Sequence, residues 1–167
     1  MNFTEAVKTC FAKYVTFSGR ARRSEHWYFF LFITLIQIVL SIWFLSGIIG
    51  PMGEFIQRGG DPKDIEALKE IYFSGMKTPA FIVFVVFCLA TLLPIIAVQI
   101  RRMHDTGRSG WWSMTYWGGN LLGTFIPLVN LIGIIWFIYL ACQDSQPGDN
   151  VYGPNPKGEA AFTTSSF

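Results

Sequence analysis

Charge is scarce in this chain: 14% of its 167 residues are Asp, Glu, Lys or Arg, against about a quarter in an ordinary soluble domain. Three long runs carry none at all, Trp27 to Gly50, Pro79 to Ile100 and Trp111 to Cys142. They lack the intramembrane carboxylate or cation on which proton-coupled carriers and ion pumps usually depend. Histidine is nearly missing, with His26 and His104 alone, and the three cysteines (Cys10, Cys88, Cys142) show no CxxC or other ligand spacing. That argues against a metal centre and leaves cysteine as a small hydrophobe. The net charge is only +2, too little to imply nucleic acid, and the basic residues flank apolar runs instead of lining a soluble face. No cofactor is implied. No cleavable signal is expected either, because the first 26 residues are charged throughout and the run after them is too long for a signal-peptide core.

What abounds is apolar and aromatic, 51% hydrophobic residues with 16 Phe and 6 Trp, so the bilayer is the expected solvent. Trp27 to Gly50 is 24 residues, or about 36 Å of helix against a hydrocarbon core of about 30 Å. Gly50-Pro51 is expected to close this span, and Trp27 and Tyr28 suit an interfacial aromatic belt. Pro79 to Ile100 forms a second span in which Pro94 should kink the helix. The third run, 32 residues from Trp111 to Cys142, is long for one crossing and short for two. The preferred reading ends an interfacial segment, 111–120, at Gly118-Gly119-Asn120 and crosses once at 121–142. A helical hairpin turning between Pro127 and Gly133 is the alternative.

Outside these runs, Asn2 and Glu5 form a capping-box pattern, and Phe3, Val7, Cys10, Phe11, Tyr14 and Val15 recur at helical spacing. They predict an amphipathic helix over about 2–16, lying in the membrane interface or packed on the spanning helices. In the polar connection 51–78, Asp61-Pro62 reads as N-cap and first position of a surface helix over about 62–73, with Gly75 as its stop. The Pro-, Gly- and Asn-rich segment 143–167 predicts an irregular tail. The expected fold is thus an all-α integral membrane protein with about three to four transmembrane helices and an N-terminal amphipathic helix. A membrane domain, 1–142, precedes the tail.

Orientation follows from counting. Five Lys and Arg against two acids precede the first span, four against five lie in 51–78, and three against one lie in 101–110. The positive-inside rule puts the N-terminus and the 101–110 loop in the cytoplasm. Three spans would leave the tail outside, and a hairpin would return it to the cytoplasm.

Those two basic segments are motifs: GRARRSEHW (Gly19 to Trp27) and RRMHDTGRSGWW (Arg101 to Trp112). Together with PGDNVYGPNP (Pro147 to Pro156), they resemble the pattern of DUF805, small bacterial inner-membrane proteins. The resemblance covers nearly the whole chain in the right order. It implies a multi-span bacterial inner-membrane protein, brings no established activity, and gives the 52–78 loop no role.

Arg20, Arg22, Arg23, Arg101, Arg102 and Arg108 are the strongest constellation, six guanidinium groups on one face, each suited to bidentate bonds with phosphate or carboxylate. They are candidates for binding anionic lipid head groups or an acidic partner, with Glu25, His104, Asp105, Trp27, Trp111 and Trp112 in support. The plainer reading is that they set topology, snorkel to the head groups and pair with Glu25 and Asp105. His104 and Asp105 are neighbours about 100° apart on a helix, and no second His or carboxylate cluster completes a catalytic or metal site. Gln37 and Asn130 read as inter-helix hydrogen bonds. The leading expectation is a non-enzymatic inner-membrane scaffold or stress-related factor that binds anionic lipid or a partner through its Arg clusters, with a homo-oligomer or membrane-protein partner possible. A transporter or channel component for a small anionic or amphipathic solute is the alternative. A membrane-embedded enzyme acting on a lipid phosphate through His104 and Asp105 comes third.

Overall fold

The computed structural model describes residues 1–158, and every named element among them is helical. The end of the expected tail, 159–167, lies outside the described residues. The chain divides into two compact units, Met1–Phe30 with Leu93 onward, and Leu31–Leu92.

The first unit opens with α1 (Phe3–Ala12), where the Asn2 side chain accepts from the Glu5 N–H and Glu5 answers at the Asn2 N–H. The expected capping box is complete, although the helix ends at Ala12 and not near residue 16. Helix α2 (Arg23–Gln57) starts in this unit and supplies the rest of its length to the other. It runs straight through Gly50-Pro51, which does not close it. Stopping would strand up to four carbonyls in an apolar setting, whereas Pro51 removes a single donor.

In the second unit, α3 (Ile65–Met76) begins later than Asp61-Pro62 suggests. Asp64 wins the N-cap by accepting from the Ala67 N–H at 3.1 Å, while Asp61 is spent in a turn on the Lys63 N–H. Gly75 sits inside the helix, whose C-cap is Lys77. Helix α4 (Pro79–Asp105) then continues through Pro94 and beyond Ile100, so half of the expected 101–110 loop is its last turn. Within the second unit, Phe44 packs on Phe81 and Phe84, and Gln37 reaches the Cys88 sulfur at 4.0 Å, an inter-helix bond of the expected kind.

Helices α2 and α4 are long and apolar enough to cross a membrane. In their most apolar windows only 11% and 22% of residues are buried. A core helix of a soluble protein would hide most of that surface from water, which sets these two candidate spans apart from a soluble core.

The third apolar run is not one helix. A 3-10 turn (Gly110–Ser113) leads into α5 (Met114–Gly123), and α6 (Pro127–Cys142) follows a break at 124–126. Pro127 is the first residue of α6, where its missing N–H costs nothing. The expected continuous helix over 121–142 is therefore cut, and Gly118-Gly119-Asn120 lies inside α5 instead of ending a segment. Ring pairs Trp112–Trp136 and Tyr116–Phe137, with Asn130 donating to Asn120 at 3.4 Å, pair the two helices antiparallel. A Cβ on Gly119 would come 3.1 Å from the Gly133 Cα; only glycine lets the two backbones approach so closely. Tyr116 and Trp27 flank the core formed by Met103, Phe137, Leu140 and Ala141.

Candidate functional site

The sequence places the Arg motifs far apart, at 19–27 and 101–112, and the first unit brings them together. Gly19, at φ +85°, turns the chain into the first motif as only glycine does without strain. The Ala21 N–H then bonds to the Arg101 carbonyl at 3.0 Å, so the start of α2 and the end of α4 are fixed to each other.

Asp105 lies at the centre, with no exposed surface. Its Oδ1 accepts from Arg20 Nε at 3.0 Å, and its Oδ2 accepts from Arg102 and from the Ser145 hydroxyl at 2.6 Å. Arg20 also donates to the carbonyls of Gln146 (2.6 Å) and Gly148 (2.7 Å). Arg102 donates to the carbonyls of Ala141 (3.0 Å), Ala21 (3.3 Å) and Gln143. A buried charge persists only where paired and hydrogen-bonded, and these two guanidinium groups meet that condition through the tail. Segment 143–157 is irregular as expected, but it is not an appendage to a domain ending at 142: it belongs to the core of this unit.

Arg101 points elsewhere. It is buried against Glu25, to which Cys10 of α1 also turns its sulfur at 3.9 Å. Burial, reinforced by the Glu25 charge, pushes the Cys10 thiol up to about 12, so it remains an uncharged thiol at neutral pH. Arg101 Nε and Nη2 and both ring nitrogens of His26 are buried without a hydrogen-bond partner among the described residues.

Arg22, Arg23 and Arg108 occupy the half-buried rim. Arg22 donates to the Pro156 carbonyl, Arg108 to the Gln143 side chain, and Arg23 to the Cys142 carbonyl at 3.1 Å and to Asp144. The Arg23 hydrogen bond, helped by Lys157 at 3.2 Å, holds the Asp144 carboxyl below its ordinary value.

His104 and Asp105 diverge as their helical offset requires. The His104 Nδ1 faces the Gly19 carbonyl at 3.1 Å, and its ring stacks on Tyr152 with centroids 3.9 Å apart. Trp27 packs against the core, whereas Trp111 and Trp112 are exposed. Of the candidate residues, Arg20, Arg102 and Asp105 form one cluster, Glu25 and Arg101 a second, and Arg22, Arg23 and Arg108 a rim. Among the described residues no group of three His, Cys, Asp or Glu side chains could hold a metal ion.

Sequence reasoning overlooked Gln143, Ser145 and Gln146 as partners. Gln143 and Gln146 meet Arg102 and Arg20 through backbone carbonyls, which carry no residue signature, and Ser145 meets Asp105 through its hydroxyl. The one available signal was the PGDNVYGPNP segment, whose glycines let a chain fold back tightly; Gly148 there has φ +64°.

This chain is similar to inner membrane protein YhaH of Escherichia coli (strain K12), 33% identical over 146 residues that cover 87% of this chain and 91% of that protein. Inner membrane protein YhaI of the same organism is 33% identical over 144 residues, 86% of this chain and 88% of its own length. No solved structure matches. The family described as "Protein of unknown function (DUF805)" matches residues 14–154, a stretch containing both Arg motifs and most of the third, and the chain belongs to that family.

Proposed function

We propose that this is a non-enzymatic, multi-pass inner-membrane protein that gathers anionic lipid at its cytoplasmic face through Arg22, Arg23 and Arg108. The carrying observation is the division of labour among the six arginines. Arg20, Arg101 and Arg102 are buried and turned inward, whereas the three rim arginines are half-buried, each engaging the tail with one or two of its five N–H donors. The remaining donors have no hydrogen-bond partner among the described residues and suit phosphate. Asp105, the partner a catalytic His104 would need, is held by Arg20, Arg102 and Ser145. That favours a binding role over chemistry.

The membrane topology in this reading has α2 and α4 crossing and the α5–α6 hairpin entering and returning. The hairpin is antiparallel and its helices, 10 and 16 residues, fall short of the ~20 a crossing needs. The N-terminus, residues 101–110 and the tail then share the cytoplasmic side, in line with the excess of Lys and Arg there. A fluorescent-protein reporter fused after Phe167 should glow, and a periplasmically active phosphatase fused there should be silent. The reverse pattern would refute this topology.

Lipid retention by native mass spectrometry tests the function, comparing wild type with the triple variant Arg22→Gln, Arg23→Gln, Arg108→Gln. Loss of anionic lipid adducts in the folded variant is expected. Equal retention would remove the rim from lipid binding and turn attention to a protein partner or a second copy of the chain. Substituting Arg20 or Arg102 instead would confuse binding with unfolding.

A further inference from the structure

Between the last turns of α4 and the start of α5 lies a cleft of about 380 Å³ lined by Ile100, His104, Ser109, Gly110, Trp111 and Met114. The lipid-gathering role assigned to the arginine rim does not use it. We propose that this cleft is a second, hydroxyl-selective site for one phospholipid, in which His104 Nε2 accepts a hydrogen bond from a head-group hydroxyl; it rests on the membrane reading above but not on the rim arginines.

Two features fix the polar end of the cleft. The Gly19 carbonyl can only accept, so its 3.1 Å contact makes His104 Nδ1 the proton-bearing nitrogen. In the neutral imidazole, Nε2 then presents a lone pair, and no hydrogen bond to it occurs among the described residues. The ring cannot easily turn away, because Tyr152 stacks on it at an interplanar angle of 2°. Gly110 leaves the approach open: a Cβ there would lie 3.4 Å from Nε2 and overlap Ile100 at 2.7 Å. A larger residue would close the cleft at the atom in question.

The apolar end identifies the occupant as a lipid. Ile100 is the last residue of the charge-free run of α4, so the cleft stands where hydrocarbon gives way to head groups. Its outer wall is the Trp111 indole, 78% exposed, with Met114 at 41%; an indole at this depth is a typical interface anchor. An acyl chain along Ile100, Trp111 and Met114 with a hydroxyl on the imidazole satisfies both ends. A free polar metabolite would leave the apolar wall in water, and an ammonium head group would meet a face already crowded with arginine.

The test is competition between two anionic lipids that differ by a hydroxyl-bearing head, phosphatidylglycerol and phosphatidylmethanol, with retention on the purified full chain read by native mass spectrometry. Wild type should keep phosphatidylglycerol over phosphatidylmethanol by about fivefold, the worth of one net hydrogen bond. His104→Phe, which retains a flat ring against Tyr152, should lower that ratio to about one. Trp111→Ala, at an exposed position that does not endanger folding, should weaken retention of both. The rim triple variant should lose the unselective share of both lipids, so the adducts that remain should favour phosphatidylglycerol at least as strongly as in wild type. A wild-type ratio near one, or a preference that survives in folded His104→Phe, overturns this site while leaving the rim reading intact. A preserved ratio with undiminished binding in the triple variant overturns the rim and leaves this site standing. Retention of neither lipid by wild type overturns both.

Discussion

The two units of this protein bury opposite materials. In Leu31–Leu92 helices meet through rings such as Phe44, Phe81 and Phe84, and a polar bond as long as Gln37 to Cys88 suffices. In the unit holding the two Arg motifs, Arg20, Arg101, Arg102, Glu25 and Asp105 are all buried. Apolar packing tolerates exchange among similar side chains, whereas a buried ionic cluster is strongly destabilised when one partner is removed. The unit Leu31–Leu92 is specified by composition, the unit holding the Arg motifs by geometry.

The largest effect should therefore come from Asp105→Asn, which leaves the Arg20 and Arg102 guanidinium groups without their shared counter-charge. A loss of about 3–5 kcal/mol is expected in detergent unfolding, and a loss below about 1 kcal/mol would dissolve the contrast between the units. Gly119→Val should come next. With the Gly133 backbone 3.1 Å from where its Cβ would sit, overpacking of about 1–3 kcal/mol is expected, together with separation of Trp112 and Trp136 in a distance measurement between labelled sites. Gln37→Leu should cost less than about 1 kcal/mol, the usual worth of a hydrogen bond between membrane helices. A cost matching Asp105→Asn would show that the second unit too depends on polar geometry.

The smallest effect concerns pH. Asp144 has its carboxyl lowered from an ordinary 3.8 by Arg23 and Lys157, so its contribution is complete above that value and disappears as pH falls through the lower folded value. Hydrogen exchange across 143–157, corrected for intrinsic rate, should quicken below about pH 4 in the wild type and lose this added pH dependence in Asp144→Asn. The pair is exposed, so only local opening is expected.

Legibility in the sequence divides along the same line. The two long apolar helices α2 and α4, the capping box at Asn2 and the inter-helix bonds of Gln37 and Asn130 follow from periodicity and charge, because each rests on neighbours in the chain or on hydropathy. The extension of α2 through Pro51 was hidden because a proline signal reports its own lost bond and not the cost of ending a helix in an apolar setting. A hairpin was readable as an alternative, but its turn lies at 124–126 and not between Pro127 and Gly133, which open α6; its close contact joins Gly119 to Gly133, and which two glycines meet is a three-dimensional fact. The arginines were visible as a group, yet their inward or outward facing depends on carbonyls from 143–157, which no residue type announces.

That dependence sets an order in time. Arg20 leaves the ribosome early, and the Gly148 carbonyl it needs is made 128 residues later, several seconds at ordinary synthesis rates of about 5–20 residues per second. Arg20 gains its counter-charge when Asp105 is made, 85 residues on, but the cluster around Asp105 closes only after the hairpin and the carbonyls beyond it have been made. Completion of the chain is thus itself the folding signal, and a nascent protein stalled after α6 would display open guanidinium groups by which quality control could tell it from a finished one.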